Sequence, residues 1–151
     1  MKTRLRLLTA LAAAALVATL SMAAATGSKA IKQRQEAMEE IGKAMGALGA
    51  IAKKEAPFDT EVVKSSAETI ANQLKKSAEL FPEDSAAGDI ETWAKAEIWS
   101  DRENFDKDLE SAIAAAVAMQ QVEKASAFLP ALGALGNGCK SCHETYRRPQ
   151  Q

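Results

Sequence analysis

The sequence predicts an all-α protein, an antiparallel four-helix bundle, and three observations support this fold class. Alanine is abundant whereas proline and glycine are sparse, which favours helices. Apolar residues recur at alternating spacings of three and four, as they do on the buried face of a bundle helix. No stretch shows the sustained apolar–polar alternation of a strand, and most links between the helical stretches are short.

The beginning of the sequence is typical of a secretory signal peptide. Three basic residues precede an apolar run over residues 7–20, and small residues follow this run. The apolar run is short for a membrane span, so a permanent anchor is the disfavoured alternative. We therefore predict a signal peptide over residues 1–23 with cleavage near 23–25. The mature chain over 26–151 is then a periplasmic domain without a membrane span.

The charge of the mature chain excludes one class of partner. The segment before cleavage holds three of the 19 basic residues and none of the 20 acidic ones, so 16 basic residues remain against 20 acidic ones. A mildly acidic chain lacks the concentrated basic face that phosphate binding needs, and no nucleic acid partner is expected. The mature chain is long enough for one domain whose hydrophobic core needs no disulfide bonds or structural metal ions.

Local signals mark the ends of the predicted helices. Asp59 is the predicted N-cap of the second helix, and a capping box of Ser100 with Glu103 is predicted to open the third. The long connection between these two helices holds Trp93 and Trp99. We expect both tryptophans in the core, and the alternative is that they cover the edge of a bound group. The four predicted helices cover about 28–54, 60–80, 101–122 and 125–147.

One motif near the end of the sequence predicts the attachment of a cofactor. Cys139 and Cys142 are three residues apart, and His143, the single histidine of the sequence, follows directly. This C-x-x-C-H pattern is the attachment signature of haem c. Residues i and i+3 of a helix share a face, so both sulfurs can form thioethers to one macrocycle while the adjacent imidazole binds its iron as the proximal ligand. Gly136 and Gly138 would let the flat macrocycle approach the helix backbone, and the alternative is that they only weaken the helix near its end.

Three other interpretations of the motif remain. A zinc site takes three or four protein ligands, and two cysteines with one histidine would need carboxylates as well. A redox-active dithiol of the thioredoxin type expects a βαβ setting, and no strand is predicted. A structural disulfide between such close cysteines closes a very small loop and stabilises little. We favour one haem c, attached covalently through Cys139 and Cys142.

The sequence resembles the class II cytochromes c, the class that contains cytochrome c-prime and its low-spin relatives. The resemblance spans the mature chain and includes the motif region 139–147, the segments 57–59 and 97–99, and the pair Arg34-Gln35 followed by Met38. It implies a four-helix bundle with haem near the C-terminal end, redox partner proteins and, in some members, a homodimer. Its closest branch on these residues is the low-spin one.

The resemblance also implies the residues on the distal side of the iron. Met38, four residues after Arg34, lies where low-spin members carry a ligating methionine, so His143 and Met38 are the expected iron ligands. The alternative for Met38 is that a methionine on the buried face of a helix simply packs in the core. Met45 and Met119 are expected in the core.

Arg34 and Gln35 are the expected contacts of the haem propionates. An arginine among apolar positions requires an anion, and a propionate can accept two hydrogen bonds from one guanidinium. The alternative for Arg34 is a side chain that reaches solvent at the rim of the bundle. The role of Gln35 is implied by the resemblance alone.

Two functions follow from these residues. With Met38 on the iron, the protein transfers single electrons. The alternative is a five-coordinate, high-spin cytochrome c-prime that binds nitric oxide or another small gas at an open distal position. An enzyme is not expected, because no second histidine is present to act as a distal acid or base.

Overall fold

A computed structural model of the protein describes the backbone of residues 2–149 and the side chains of residues 27–149. Within these residues the secondary structure is helical, without a strand, which confirms the all-α fold class. The predicted signal peptide lies outside the residues whose side chains are described. The helices are α1 (Lys2–Ala52), α2 (Thr60–Ser77), α3 (Glu97–Ser100), α4 (Arg102–Met119) and α5 (Ala125–Tyr146), with a 3-10 turn at Glu83–Ser85.

The four long helices pack in series around one core. α1 packs against α2, α2 against α4 and α4 against α5, and the short α3 lies against α4 and α5. Among the described residues, α1 and α5 share no packing of comparable extent, so the bundle is least tightly closed between its first and last helices. Each long helix contributes a fully buried residue to the core, namely Leu48, Ile70, Met119 and Leu135.

Asp59 caps α2, as the sequence predicts. Its carboxylate accepts hydrogen bonds from the backbone N–H groups of Glu61, at 2.8 Å, and Val62, at 3.1 Å. We expect Asp59→Ala to lower the free energy of unfolding by about 1 kcal/mol because these N–H groups lose their acceptor. Denaturant unfolding measures this loss, and Asp59→Asn should recover most of it. An unchanged free energy in Asp59→Ala would contradict the capping role.

The predicted capping box of the third long helix is wrong. Ser100 is the last residue of α3, and Asp101 occupies the N-cap position of α4 without a side-chain capping bond. The Asp101 carboxylate instead accepts hydrogen bonds from Asn104 Nδ2, at 2.8 Å, and from the Tyr146 hydroxyl, at 3.3 Å. Ser100 therefore belongs to the short helix α3, and Asp101 links the start of α4 to the end of α5.

The two tryptophans differ in burial. Trp99 packs against the core and donates its Nε1–H to the carbonyl of Pro82 at 2.9 Å, as expected. Trp93 is 44% exposed, so its predicted place in the core is wrong. The reason is a backbone hydrogen bond of 2.8 Å from the N–H of Arg148 to the Trp93 carbonyl, which holds this part of the loop at the surface beside the chain end.

No helix among the residues with described side chains is both long enough and apolar enough to cross a membrane.

Candidate functional site

The C-x-x-C-H motif lies in the last two turns of α5. Cys139 and Cys142 are half-buried, carry free thiols and pack against the hydrophobic core. His143 is also half-buried. Two sulfurs one turn apart therefore lie on the inner side of the helix, and the imidazole follows directly after them.

The surroundings of the motif favour protonated thiols and a neutral imidazole. Burial raises the pKa of the Cys139 thiol. Burial, with smaller effects of the Asp108 and Cys139 charges, raises the pKa of the Cys142 thiol to about 11. A dithiol that exchanges disulfides needs a lowered thiol pKa, so this site does not fit that interpretation. Burial and the positive charge of Arg147 lower the pKa of His143, and the neutral imidazole is the form that binds metals.

The zinc interpretation also lacks support. Across residues 27–149, no group of three or more His, Cys, Asp or Glu side chains is arranged to hold a metal ion. A zinc site needs three or four such ligands.

Asp108 on α4 is the side chain that meets the motif from the neighbouring helix. Its carboxylate accepts a hydrogen bond from the Ser141 hydroxyl at 3.3 Å. Asp101, seven residues earlier, accepts one from Tyr146 in the same way. A spacing of seven residues places both aspartates on one face of α4. This spacing was the available sequence signal for a contact that we did not predict.

The two glycines before the motif have different surroundings. A Cβ on Gly138 would lie 3.1 Å from the Cα of Ala112 on α4, so Gly138 permits a close crossing of α4 and α5. The space that a Cβ on Gly138 would occupy thus adjoins α4, and the predicted contact of Gly138 with a macrocycle stays a prediction. A Cβ on Gly136 would meet no other atom within 4 Å. The predicted contact of Gly136 with a macrocycle stays a prediction.

The candidate residues of α1 lie at different depths. Arg34 is buried, whereas Gln35 is exposed and Met38, one turn after Arg34, is 38% exposed. Met45 is half-buried against the core, and Met119 on α4 is fully buried within it. Met38 is therefore the accessible one of these three methionines.

The Arg34 guanidinium is held by the linking loop, which we define as residues 80–95. Nη1 donates to the carbonyl of Leu80 and the hydroxyl of Ser85, both at 2.8 Å. Nη2 donates to the carbonyl of Ser85 at 2.9 Å and the hydroxyl of Thr92 at 3.4 Å. A guanidinium has five N–H donors, and protein oxygens accept from four of them. The Nε–H, which has no acceptor among the described residues, is left for a further partner.

Aromatic rings complete the surroundings of Arg34. Its guanidinium carbon lies 4.7 Å from the ring centroid of Phe81 and 5.8 Å from that of Trp99. Burial lowers the pKa of Arg34 to about 10, so the side chain stays charged at neutral pH. Arg34 therefore fixes the linking loop to α1. It is not a solvent-reaching side chain at the rim.

Residues 29–147 match the sequence profile of a family described as Cytochrome C'. The chain belongs to the cytochrome c' family. A cytochrome c' from Rhodopseudomonas palustris is 42% identical over 119 residues, which are 78% of this chain and 80% of that protein. A cytochrome c-556 from Agrobacterium tumefaciens is 38% identical over 125 residues, 78% of this chain and 95% of that protein. The solved structure of a cytochrome c' from Rhodopseudomonas palustris superposes with a TM-score of 0.77 at 35% identity, covering 81% of this chain and 98% of that one.

Membership of the cytochrome c' family confirms the predicted class, the four-helix bundle and the cofactor. Family members bind one covalent haem c, and the two cysteines of this sequence are those of the motif. Two free, half-buried thiols on the inner side of α5 fit this attachment. The low-spin branch within the family, and the roles of Met38, Arg34 and Gln35, stay predictions.

Proposed function

We propose that this cytochrome c' family protein is exported and transfers single electrons. One haem c is attached through Cys139 and Cys142, and its iron is bound by His143 and Met38. The observation that carries the proposal is the pair of free, half-buried thiols on α5 with a half-buried imidazole directly after them. The haem supplies the one-electron couple, and the protein holds it and tunes it.

The residues of α5 would attach the cofactor and supply one ligand to its iron. Thioethers at Cys139 and Cys142 tie one edge of the ring to a single helix face. Both sulfurs pack against the hydrophobic core, which limits water at this edge. His143 follows as a half-buried imidazole whose pKa is lowered mainly by burial, the state suited to iron binding.

Met38 is the proposed distal ligand on α1. It lies one turn after Arg34, whose hydrogen bonds fix this part of α1 to the linking loop, and its side chain is accessible. As a ligand, its thioether would favour the ferrous state of the iron. Gln35 and the Nε–H of Arg34 are proposed to face the propionates. In the described structure Gln35 Nε2 donates to the carbonyl of Glu91 at 2.8 Å.

A second candidate function is the binding of nitric oxide or another small gas. The names of the relatives favour it, because the Rhodopseudomonas palustris relative and the superposed structure are both called cytochrome c'. Met38 would then lie beside an open distal position without binding the iron. Localisation in the periplasm, redox partner proteins and a homodimer are proposals that accompany the electron-transfer function.

The optical and near-infrared spectrum of the purified ferric protein tests the proposal. With Met38 on the iron we expect a low-spin spectrum that includes a methionine-to-iron charge-transfer band. Addition of imidazole, which replaces the methionine, supplies a low-spin reference without this band. A high-spin spectrum at neutral pH would overturn the electron-transfer proposal. The ferrous protein should then bind nitric oxide.

A further inference from the structure

Thr92, in the linking loop, accepts hydrogen bonds from a residue of α1 and from a residue at the chain end after α5. Its hydroxyl accepts a hydrogen bond from Arg34 Nη2 on α1 at 3.4 Å, and its carbonyl accepts one from Arg148 Nη2. The backbone N–H of Ala94 also donates to the Thr92 hydroxyl at 3.2 Å, which fixes the local turn. Two guanidinium groups from distant parts of the chain therefore meet on one residue.

Backbone hydrogen bonds strengthen the link on the α5 side. The N–H of Arg148 donates to the carbonyl of Trp93 at 2.8 Å, and the N–H of Lys95 donates to the carbonyl of Tyr146 at 3.0 Å. These bonds form a short antiparallel bridge between the linking loop and the end of α5. The loop is thus joined to α5 through the main chain and through the Arg148 side chain.

The link matters because the bundle packs in series. α1 is connected to α5 by the packing of α1 on α2, α2 on α4 and α4 on α5. Among the described residues, α1 and α5 do not pack extensively on each other. The position of α1 relative to α5 therefore depends on the linking loop as well as on the core. Arg34 lies one turn before Met38, and Arg148 lies five residues after His143, so the link ends close to both proposed iron ligands.

We infer that Thr92 is a positioning residue for the haem site. By accepting hydrogen bonds from Arg34 and Arg148, it helps to set the separation of α1 and α5 and thereby the distance of Met38 from the haem. Loss of the bonds to Thr92 weakens the link between α1 and α5, which the bonds of Arg34 to Leu80 and Ser85 and the main-chain bridge still hold in part, while the packing of α2 against α4 stays in place. The inference rests on the proposed haem site and adds a residue that touches neither haem nor iron.

Two variants and a matched control test this role. Thr92→Val removes the hydroxyl at nearly constant volume, and Arg148→Ala removes the guanidinium. Thr69→Val is the control, since the Thr69 hydroxyl donates to the Ser65 carbonyl within α2 at 2.9 Å. We expect each of the two variants to shift the equilibrium between bound and detached Met38 by about fivefold, the effect of one lost hydrogen bond. The near-infrared methionine band reports this equilibrium, and circular dichroism shows that the global unfolding midpoint changes no more than in the control.

The outcomes separate this inference from the proposed function. If the wild-type ferric protein is low-spin and either variant keeps its Met38 equilibrium, the inference is overturned, because both donors are required. If the wild-type protein is high-spin, the electron-transfer proposal fails, and the rate of carbon monoxide binding to the ferrous protein replaces the methionine band. We then expect this rate to change in Thr92→Val and Arg148→Ala and to stay at the wild-type value in Thr69→Val. Rates equal to the control would overturn the inference.

Discussion

The double variant Cys139→Ala/Cys142→Ala is expected to lose all covalently bound haem. The two thioethers are the proposed bonds between protein and macrocycle, and the remaining bond from His143 to iron is reversible coordination. The variant should therefore release its haem completely when it is unfolded in acidified organic solvent. Intact mass spectrometry of protein produced with the attachment machinery measures the loss directly.

Variants within the same motif supply the controls. Ser141→Ala changes an exposed residue between the two cysteines and should keep the haem mass, although it removes a hydrogen bond to Asp108. Each single cysteine variant should retain haem through the other sulfur. Haem that remains covalently bound in the double variant would show that attachment uses another residue.

Met38→Ala is expected to convert the ferric iron from low-spin to high-spin almost completely. Alanine has no donor atom, so the distal position loses its sulfur ligand. The methionine band should disappear, and the reduction potential should fall because the thioether no longer favours the ferrous state. Optical spectroscopy and a redox titration measure both effects.

Met45→Ala is the matched control for Met38→Ala. Met45 lies seven residues later on α1 and is half-buried against the core. Its replacement should lower the free energy of unfolding by about 2 kcal/mol through lost packing and leave the spin state unchanged. If Met38→Ala leaves the spin state unchanged as well, Met38 is not a ligand, and the gas-binding function becomes the better explanation.

The regular parts of the fold could be predicted because their signals are local. The apolar spacing of three and four and the Asp59 cap are each contained in a few residues, and α2 begins where they predict. The C-x-x-C-H motif is local as well, so the cofactor could be inferred before the fold was known. The short helix α3 was missed because its four residues are too few to show a helical periodicity.

The partners of Arg34 could not be predicted from the sequence. The acceptors on Leu80 and Ser85 lie 46 and 51 residues further along the chain. In both residues the acceptor is a main-chain carbonyl oxygen, and such an acceptor cannot be recognised from the side-chain types in a sequence. The close approach of Gly138 to Ala112 is equally non-local, because it depends on how two helices cross.

The close crossing of α4 and α5 indicates how this scaffold can diversify. A Cβ on Gly138 would lie 3.1 Å from the Cα of Ala112, so a larger residue there requires α4 and α5 to shift slightly apart. Position 38 on α1 has no such constraint, since its side chain is partly open to solvent. The residue at position 38 can therefore change without repacking α4 against α5, so the proposed choice between electron transfer and gas binding can vary on one scaffold.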